Sequence, residues 1–396
     1  MSDNEALSRA VNNLRMSRDR INAEEKAAIK RAVVKIKVFG IGGGGNSVLK
    51  RLAESQVSET DLVAVNTDAH ALSVLNMNSI KTIQIGETLT KGHGTGGKVE
   101  LGEQSAKMDI ERIKNMMIGS DMIFITAGMG GGTGTGAAPI VAKVAKELGL
   151  LTVGVVTLPF KFEGNRKQKI ATEGVIKMQS YMDALIVVKN DNLMKLPENR
   201  GMSIIDAFNA ADSVLRQAIR CIAELILTTG FVNVDFADVT TIFTQSESSD
   251  ALLGIGRSNI SAVKAVQQAI ESPLIDKSLK GARGIILNIT GDENLTLYDV
   301  NEAANYIFKL SEDEDVNIIL GAVVDKSMNG VVQATIIATD FADSLALKSP
   351  TVAVPKSTVT VSKGFTLEAP SFPTNQKNKN GGVIPAFSLT RDKKND

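Results

Sequence analysis

The chain has 396 residues, 43% of them hydrophobic, enough to bury more than one core, and its 44 basic and 44 acidic residues cancel. That balance argues against a general nucleic-acid binder, so an anionic ligand would have to be gripped locally. One cysteine, Cys221, and two histidines, His70 and His93, exclude a disulfide framework and a Cys/His metal site and fit a reducing compartment.

Residues 1–31 are charged, lack a wide apolar face and read as an extension without a secretory signal. No run reaches the roughly 18 uninterrupted apolar residues of a membrane span. A cytoplasmic protein without direct membrane insertion is the expectation.

Over residues 32–202 apolar runs alternate with helical patterns. The strand-like runs are "VKIKVFG" (34–40), "DLVAVN" (61–66), "IKTIQI" (80–85), "DMIFIT" (121–126), "LTVGVVT" (151–157) and "ALIVVKN" (184–190). Fully apolar strands separated by helices predict an α/β domain whose parallel sheet is covered on both faces. At 203–227 Ile204, Phe208, Ala211, Leu215, Ala218 and Ile222 recur at spacings of 4, 3, 4, 3 and 4, which predicts one long helix. Other apolar residues widen its stripe, so it should pack between two bodies. Residues 228–342 hold the strands "RGIILNIT", "NIILGAVV" and "VVQATIIAT" and the helix "LYDVNEAANYIFKL", a smaller α+β domain. Residues 343–382 read as a disordered linker, and 383–396 carry a short apolar island, "GGVIPAFSLTR" from its first glycine at 381.

Two glycine loops follow strands. "GIGGGGNSVLKRL" places Gly40, Gly42 and Gly45 in the G-x-G-x-x-G spacing, with Asp68 at the end of the next strand. That pattern keeps a nicotinamide-binding Rossmann dehydrogenase open. "GMGGGTGTG" (128–136) holds six glycines in nine positions, far more than a turn requires. Glycine lets consecutive N–H groups converge on an anion, and the helix expected from about Thr135 adds its positive end. Thr133 and Thr135 could donate hydroxyl hydrogen bonds. No G-K-[ST] follows, so this is not a P-loop, and charge would be neutralised by backbone dipoles and Mg2+.

"GGGTGTG" (130–136) resembles the signature of the tubulin superfamily. With "AVNTDAHAL", "FEG", "NVDFADV", "NITGDENLTLYDVNEAA" and "GAVVDKS" in order, the chain is similar to the FtsZ family of bacterial cell-division proteins over residues 34–341 and again at its end. The resemblance implies a tubulin/FtsZ-like fold and a GTPase that forms head-to-tail filaments at the division site. It implies that Gly42, Gly43, Gly44, Gly45 and Asn46, with Gly130, Gly131, Gly132, Thr133, Gly134, Thr135 and Gly136, wrap the α- and β-phosphates of GTP or GDP. It places Asn66, Thr67 and Asp68 near the γ-phosphate and Mg2+, and Thr95, Gly96 and Gly97 in a third phosphate loop. Glu163, Asn190, Phe208 and Asp212 would meet the sugar and base. Phe208 and Asp212 stand four apart, on one face of a helix, where a ring can stack and a carboxylate can accept from guanine N1–H and its 2-amino group.

Asn233, Asp235 and Asp238 read on their own as helix-capping residues. The resemblance makes them a loop that completes the active site of the neighbouring subunit. "IPAF", Ile384, Pro385, Ala386 and Phe387, resembles the family's terminal peptide for membrane adaptor and regulator proteins. Lys98 stands where most of the family carries asparagine, and Lys167 where it carries arginine; neither is assigned to the site. A tubulin-like structural protein without turnover is the other alternative.

Overall fold

The computed structural model describes residues 34–55, 60–75, 78–196, 199, 201–227, 234–246, 248–275, 279, 282–311 and 316–341. The chain divides into 1–347 and 348–396, and every described residue falls in the first unit. Asn233, the extension, the linker and Ile384 to Phe387 lie outside the described residues.

Ten strands form one sheet in the order β3-β2-β1-β4-β5-β6-β7-β10-β8-β9. They are β1 (Ile36–Ile41), β2 (Thr60–Asn66), β3 (Ile80–Gln84), β4 (Met122–Gly128), β5 (Leu151–Leu158), β6 (Ala184–Lys189), β7 (Asp250–Ser258), β8 (Ala282–Gly291), β9 (Asn317–Val324) and β10 (Val332–Phe341). Numbering helices of eight residues or more, α1 is Gly42–Glu54, α2 Val99–Met108, α3 Ile110–Met117, α4 Gly132–Glu147 and α5 Asn165–Gln179. They are followed by α6 (Ile204–Leu227), α7 (Phe236–Thr244), α8 (Ala262–Ile270) and α9 (Leu297–Ser311).

The strands β1 to β6 are all parallel, as their unbroken apolar runs predict. Their side chains alternate between two cores. Val38, Phe124, Val155 and Ile186 point to the face covered by α1 and α6. Phe39, Ile123, Ile125 and Val156 point to the face covered by α4. Beyond β6 the pairing changes: β7 joins through Leu185↔Asp250 and Ile186↔Ala251, then β10 runs antiparallel to both β7 and β8. A third core lies between α8, α9 and these C-terminal strands.

The long helix α6 does pack on both parts. Leu215, Ile219 and Ile222 share one buried cluster with Val155 and Ile186 on one side and Leu253, Ile286 and Ile337 on the other. Its apolar stripe, however, is buried only from Ala211 onward. Ile204, Ile205 and Phe208 are 68%, 73% and 42% exposed, so the first two turns offer their apolar face to solvent.

The strand β7 and helix α8 escape a reading based on periodicity. Gly254 and Gly256 interrupt the apolar pattern of "DALLGIGRS", and glycine weakens a strand reading. The structure shows what they permit: a Cβ at Gly254 would lie 2.3 Å from the Ala269 carbonyl oxygen, and one at Gly256 2.1 Å from that of Ala265. The helix α8 can approach the sheet only over bare backbone.

Candidate nucleotide site

Every residue expected to touch nucleotide that lies in a strand–helix connection sits at the carboxyl end of a parallel strand. The connections are β1 to α1, the residues after β2, β4 to α4, the turn after β5 and the residues after β6. Open parallel sheets bind ligands along that edge.

The two glycine loops interlock. Gly42 has φ +69°, closed to most side chains, and a Cβ there would meet the Gly134 nitrogen at 2.9 Å. A Cβ at Gly44 would meet the Gly128 nitrogen at 3.0 Å, and one at Gly45 the Thr126 carbonyl oxygen at 2.4 Å. The helix α4 starts at Gly132, three residues before the expected Thr135, because Gly132, Gly134 and Gly136 lie in its first turns, against Lys98, the Gly128 carbonyl and α2. Most of these glycines therefore serve close approach of main chains and not loop freedom. Gly43 and Gly131 differ: both are exposed, and a Cβ would meet nothing within 4 Å.

Two helix N-termini thus converge. Neither α1 nor α4 has a side-chain cap, and neither carries an acid in its first turn. Free N–H groups and partial positive charge from two long helices, without a local carboxylate, make a cradle for an anion.

The polar residues around it are braced by one another. With its amide nitrogen toward the Gly40 and Gly42 oxygens (2.9 and 3.1 Å), Asn46 accepts from Asn66 Nδ2 at 3.0 Å. The Thr67 and Thr133 hydroxyls lie 2.9 Å apart, and Thr135 Oγ1 accepts from the Gly130 N–H at 2.8 Å. Thr135 is 1% exposed, so its hydroxyl fastens the loop from within. Asp68 Oδ1 accepts from the Ala71 N–H at 3.0 Å, capping the short helix Ala69–Val74. Thr95 is buried against Gly132, and Gly96 and Gly97 beside it are open, with φ +59° and +78°. Lys98 is exposed.

At the other end of the site, the 3-10 turn Lys161–Glu163 and the short helix Asn190–Leu193 are joined by Lys161 N–H donating to Asp191 Oδ1 at 3.1 Å. Glu163 holds that turn: its Oε1 accepts from the Phe160 N–H at 2.9 Å, and its Oε2 pairs with Lys167 at 3.0 Å. Phe160 is buried, with Phe162 stacked on it at 5.0 Å and Phe208 edge-on at 5.4 Å. Asn190 is 4% exposed, and its Oδ1 has no hydrogen-bond partner among the described residues. An orphaned acceptor beside half-exposed rings fits a purine with donors on its edge.

Asp212 brings in a residue that motif reading missed. Arg51, in the last turn of α1, donates Nε to Asp212 Oδ2 at 3.2 Å and contacts Asn209 Oδ1 through Nη2. Burial raises the Asp212 carboxyl above its ordinary range, and Arg51 opposes the rise. A basic residue three positions short of a helix end carries no sequence signal for this role.

The acidic pair lies elsewhere. Asp235 occupies the position before α7, yet its side chain makes no cap hydrogen bond, and Asp238 follows in the first turn. Both are exposed, with no bonded partner for either carboxylate among the described residues. The C-terminal end of α7 sits toward the opposite strand ends, since Thr244 and Ser246 share a cavity with Met182 and Asp183 just before β6. A strand of six residues spans about 20 Å.

A parallel-sheet α/β protein with an uncapped double-helix cradle and an aromatic-lined opposite end has the features of the tubulin-like nucleotide-binding folds. Comparison with known families agrees: residues 35–198 match the "Tubulin/FtsZ family, GTPase domain" model, and residues 249–342 the "FtsZ family, C-terminal domain" model. An empty FtsZ dimer from M. jannaschii is 39% identical, with TM-score 0.74, covering 80% of this chain and 91% of that one. A point mutant of FtsZ from that organism is 38% identical, with TM-score 0.76, covering 81% and 95%. CetZ2 from Haloferax volcanii, a GTPγS-bound protofilament, is 20% identical, with TM-score 0.66, covering 77% and 92%; it shares the fold. The chain belongs to the tubulin/FtsZ family. It is a GTPase-type cytoskeletal protein, and the dehydrogenase alternative falls with that assignment.

Proposed function

We propose that the chain is an FtsZ-type GTPase that assembles head to tail and hydrolyses GTP at each subunit junction. The observation that carries this reading is the separation of two half-sites. The cradle lies at the carboxyl ends of the strands, and the unpartnered Asp235 and Asp238 start a helix whose far end lies toward the other edge. Acids beside a triphosphate would repel it within one molecule. Supplied by the next subunit, with Asn233, they orient the attacking water and draw its proton as it adds to the γ-phosphorus. A surface that carries nucleotide and another that carries acids form a heterologous contact, which propagates as a filament when rotation does not close it.

Guanine is the base this site favours. Asp212, paired with Arg51, accepts from N1–H and the 2-amino group while Phe208 stacks. Adenine would leave the carboxylate facing an acceptor.

Mg2+ would sit on the phosphates with Asp68 as its nearest protein carboxylate. Such an ion would screen phosphate charge.

The same reading gives the protein a place in the division ring, in the cytoplasm, with the 384–387 peptide binding membrane adaptor and regulator proteins. The domain limits 32–202, 203–227 and 228–342 belong to this proposal. The sequence resemblance implies a bacterial protein, whereas the FtsZ and CetZ relatives named above are archaeal. The division role is proposed without a bacterial host. Identity of 38–39% to FtsZ against 20% to CetZ2 favours it over a CetZ-like one.

The test is sedimentation and phosphate release with GTP, ATP or GDP, with and without magnesium, over a range of protein concentrations. Turnover per subunit should rise sharply where pelleting begins, with GTP alone. A rate that stays flat through that threshold refutes the junction mechanism. Undiminished preference for GTP over ATP in an Asp212→Ala protein refutes the base assignment.

A further inference from the structure

The two interlocked glycine loops carry no positive side chain. Neither residues 40–46 nor residues 128–136 include a charged group, so N–H groups and helix ends alone oppose a ligand's charge there. A triphosphate is more negative than a diphosphate, and nothing in these loops answers the difference.

The third loop is built the other way. Residues 91–98 hold Lys91, His93 and Lys98 and no acid, and all three side chains are exposed. Its C-terminal end is pinned to the cradle. A Cβ on Gly132, the first residue of α4, would lie 2.1 Å from Thr95 Oγ1, 2.8 Å from the Lys98 carbonyl oxygen and 2.9 Å from the Lys98 nitrogen. Lys91 and His93 flank Gly92 at the far end of the loop, where it meets Ala69 and Gln84 instead.

The Lys98 ammonium is unclaimed. It makes no ion pair and no hydrogen bond among the described residues, and Glu100 in the first turn of α2 does not pair with it. An unpaired surface lysine is ordinarily just solvated. This one has its main chain fixed against the start of α4, and its four-carbon stem carries the charge roughly 6 Å from the Cα. That reach covers the space in front of Gly131, the exposed residue beside Gly132.

We propose that Lys98 supplies the cation the glycine loops lack and binds the terminal phosphate of GTP. The proposal rests on the GTPase reading, in which the N–H groups of both glycine loops meet the α- and β-phosphates and leave the last phosphate to the third loop. Preference for GTP over GDP then persists without magnesium. The asparagine that most of the family carries at this position has no charge to offer, so this preference belongs to this chain.

The test is calorimetric titration of the full chain with GTP and with GDP in excess EDTA, below the concentration at which the protein pellets. The unaltered chain should bind GTP the more tightly. Lys98→Gln should lose about tenfold in GTP affinity and at most about twofold in GDP affinity, the scale of one charge-assisted hydrogen bond at an exposed site. Lys98→Arg should keep the preference. Losses that are equal for the two nucleotides, or absent, in Lys98→Gln overturn the proposal. A loss in Lys98→Arg as large as in Lys98→Gln overturns it too, because charge would then not be what matters. Binding of neither nucleotide to the unaltered chain refutes the GTPase reading itself, and this proposal with it.

Discussion

The glycine cradle and the acidic start of α7 are built on opposite principles. The cradle is uncharged, interlocked and braced: Gly42 presses on Gly134, Gly44 on Gly128, and Asn46, Asn66, Thr67, Thr133 and Thr135 bond within it. The acids before and within α7 are exposed, and their carboxylates have no bonded partner among the described residues. A site that binds must be pre-formed, because any reorganisation would subtract from affinity. A group that acts on another molecule must stay free until that molecule arrives. On the proposed reading, one end of the subunit is finished and the other is waiting.

The sharpest way to break the comparison is Asp238→Ala. GTP turnover should fall at least about 100-fold, measured as phosphate release, because a positioned proton acceptor contributes roughly that much. Binding of a fluorescent GTP analogue and the melting temperature should hardly move. If turnover survives and only stability falls, the acid serves α7's dipole alone.

Next come the glycines, which should split into two kinds. Gly45→Ala places a Cβ 2.4 Å from the Thr126 oxygen and should destabilise the fold by about 1–3 kcal/mol, seen in urea unfolding. Gly131→Ala meets no atom within 4 Å and should keep wild-type stability while weakening GTP binding about tenfold through lost access to the N–H groups. Equal stabilities in the two variants would mean that the interlocking is not structural.

A smaller effect is expected at Arg51. On the proposed reading Asp212 must be ionised to accept from guanine, and burial raises its carboxyl above the ordinary range. GTP affinity should therefore fall on acidification before ordinary carboxylates titrate. Arg51→Met removes the opposing charge and should move that decline to higher pH, about threefold in affinity near neutrality. A pH profile that superimposes on wild type would dismiss Arg51 as a positioning residue. The smallest effect concerns Cys221, whose thiol is pushed up to about 12 by burial and the nearby Glu224. Iodoacetamide should label it only after unfolding.

Both sides of the comparison were visible in the sequence to different depths. "GGGTGTG" and "GIGGGGN" stood out because a turn needs far fewer glycines, and the structure shows most of them spent on close approach of main chains. The acids after residue 233 did not announce themselves, since Asp before a helix is ordinary capping until the absence of a cap bond is seen. Phe208 shows the same limit. Its spacing assigned it to an apolar stripe, and only the structure shows that stripe leaving the core at the first turns of α6.

The sequence by itself determined the parallel sheet, the long helix, the two glycine loops and the family, because apolar period and glycine density are local properties of the chain. Tertiary structure alone decided that β7 and α8 meet over Gly254 and Gly256, that Arg51 braces Asp212 across 161 residues, and that the main chain of Lys98 meets Gly132. Those arrangements depend on which backbone comes near which, and residues distant in the chain leave no periodic trace of that approach.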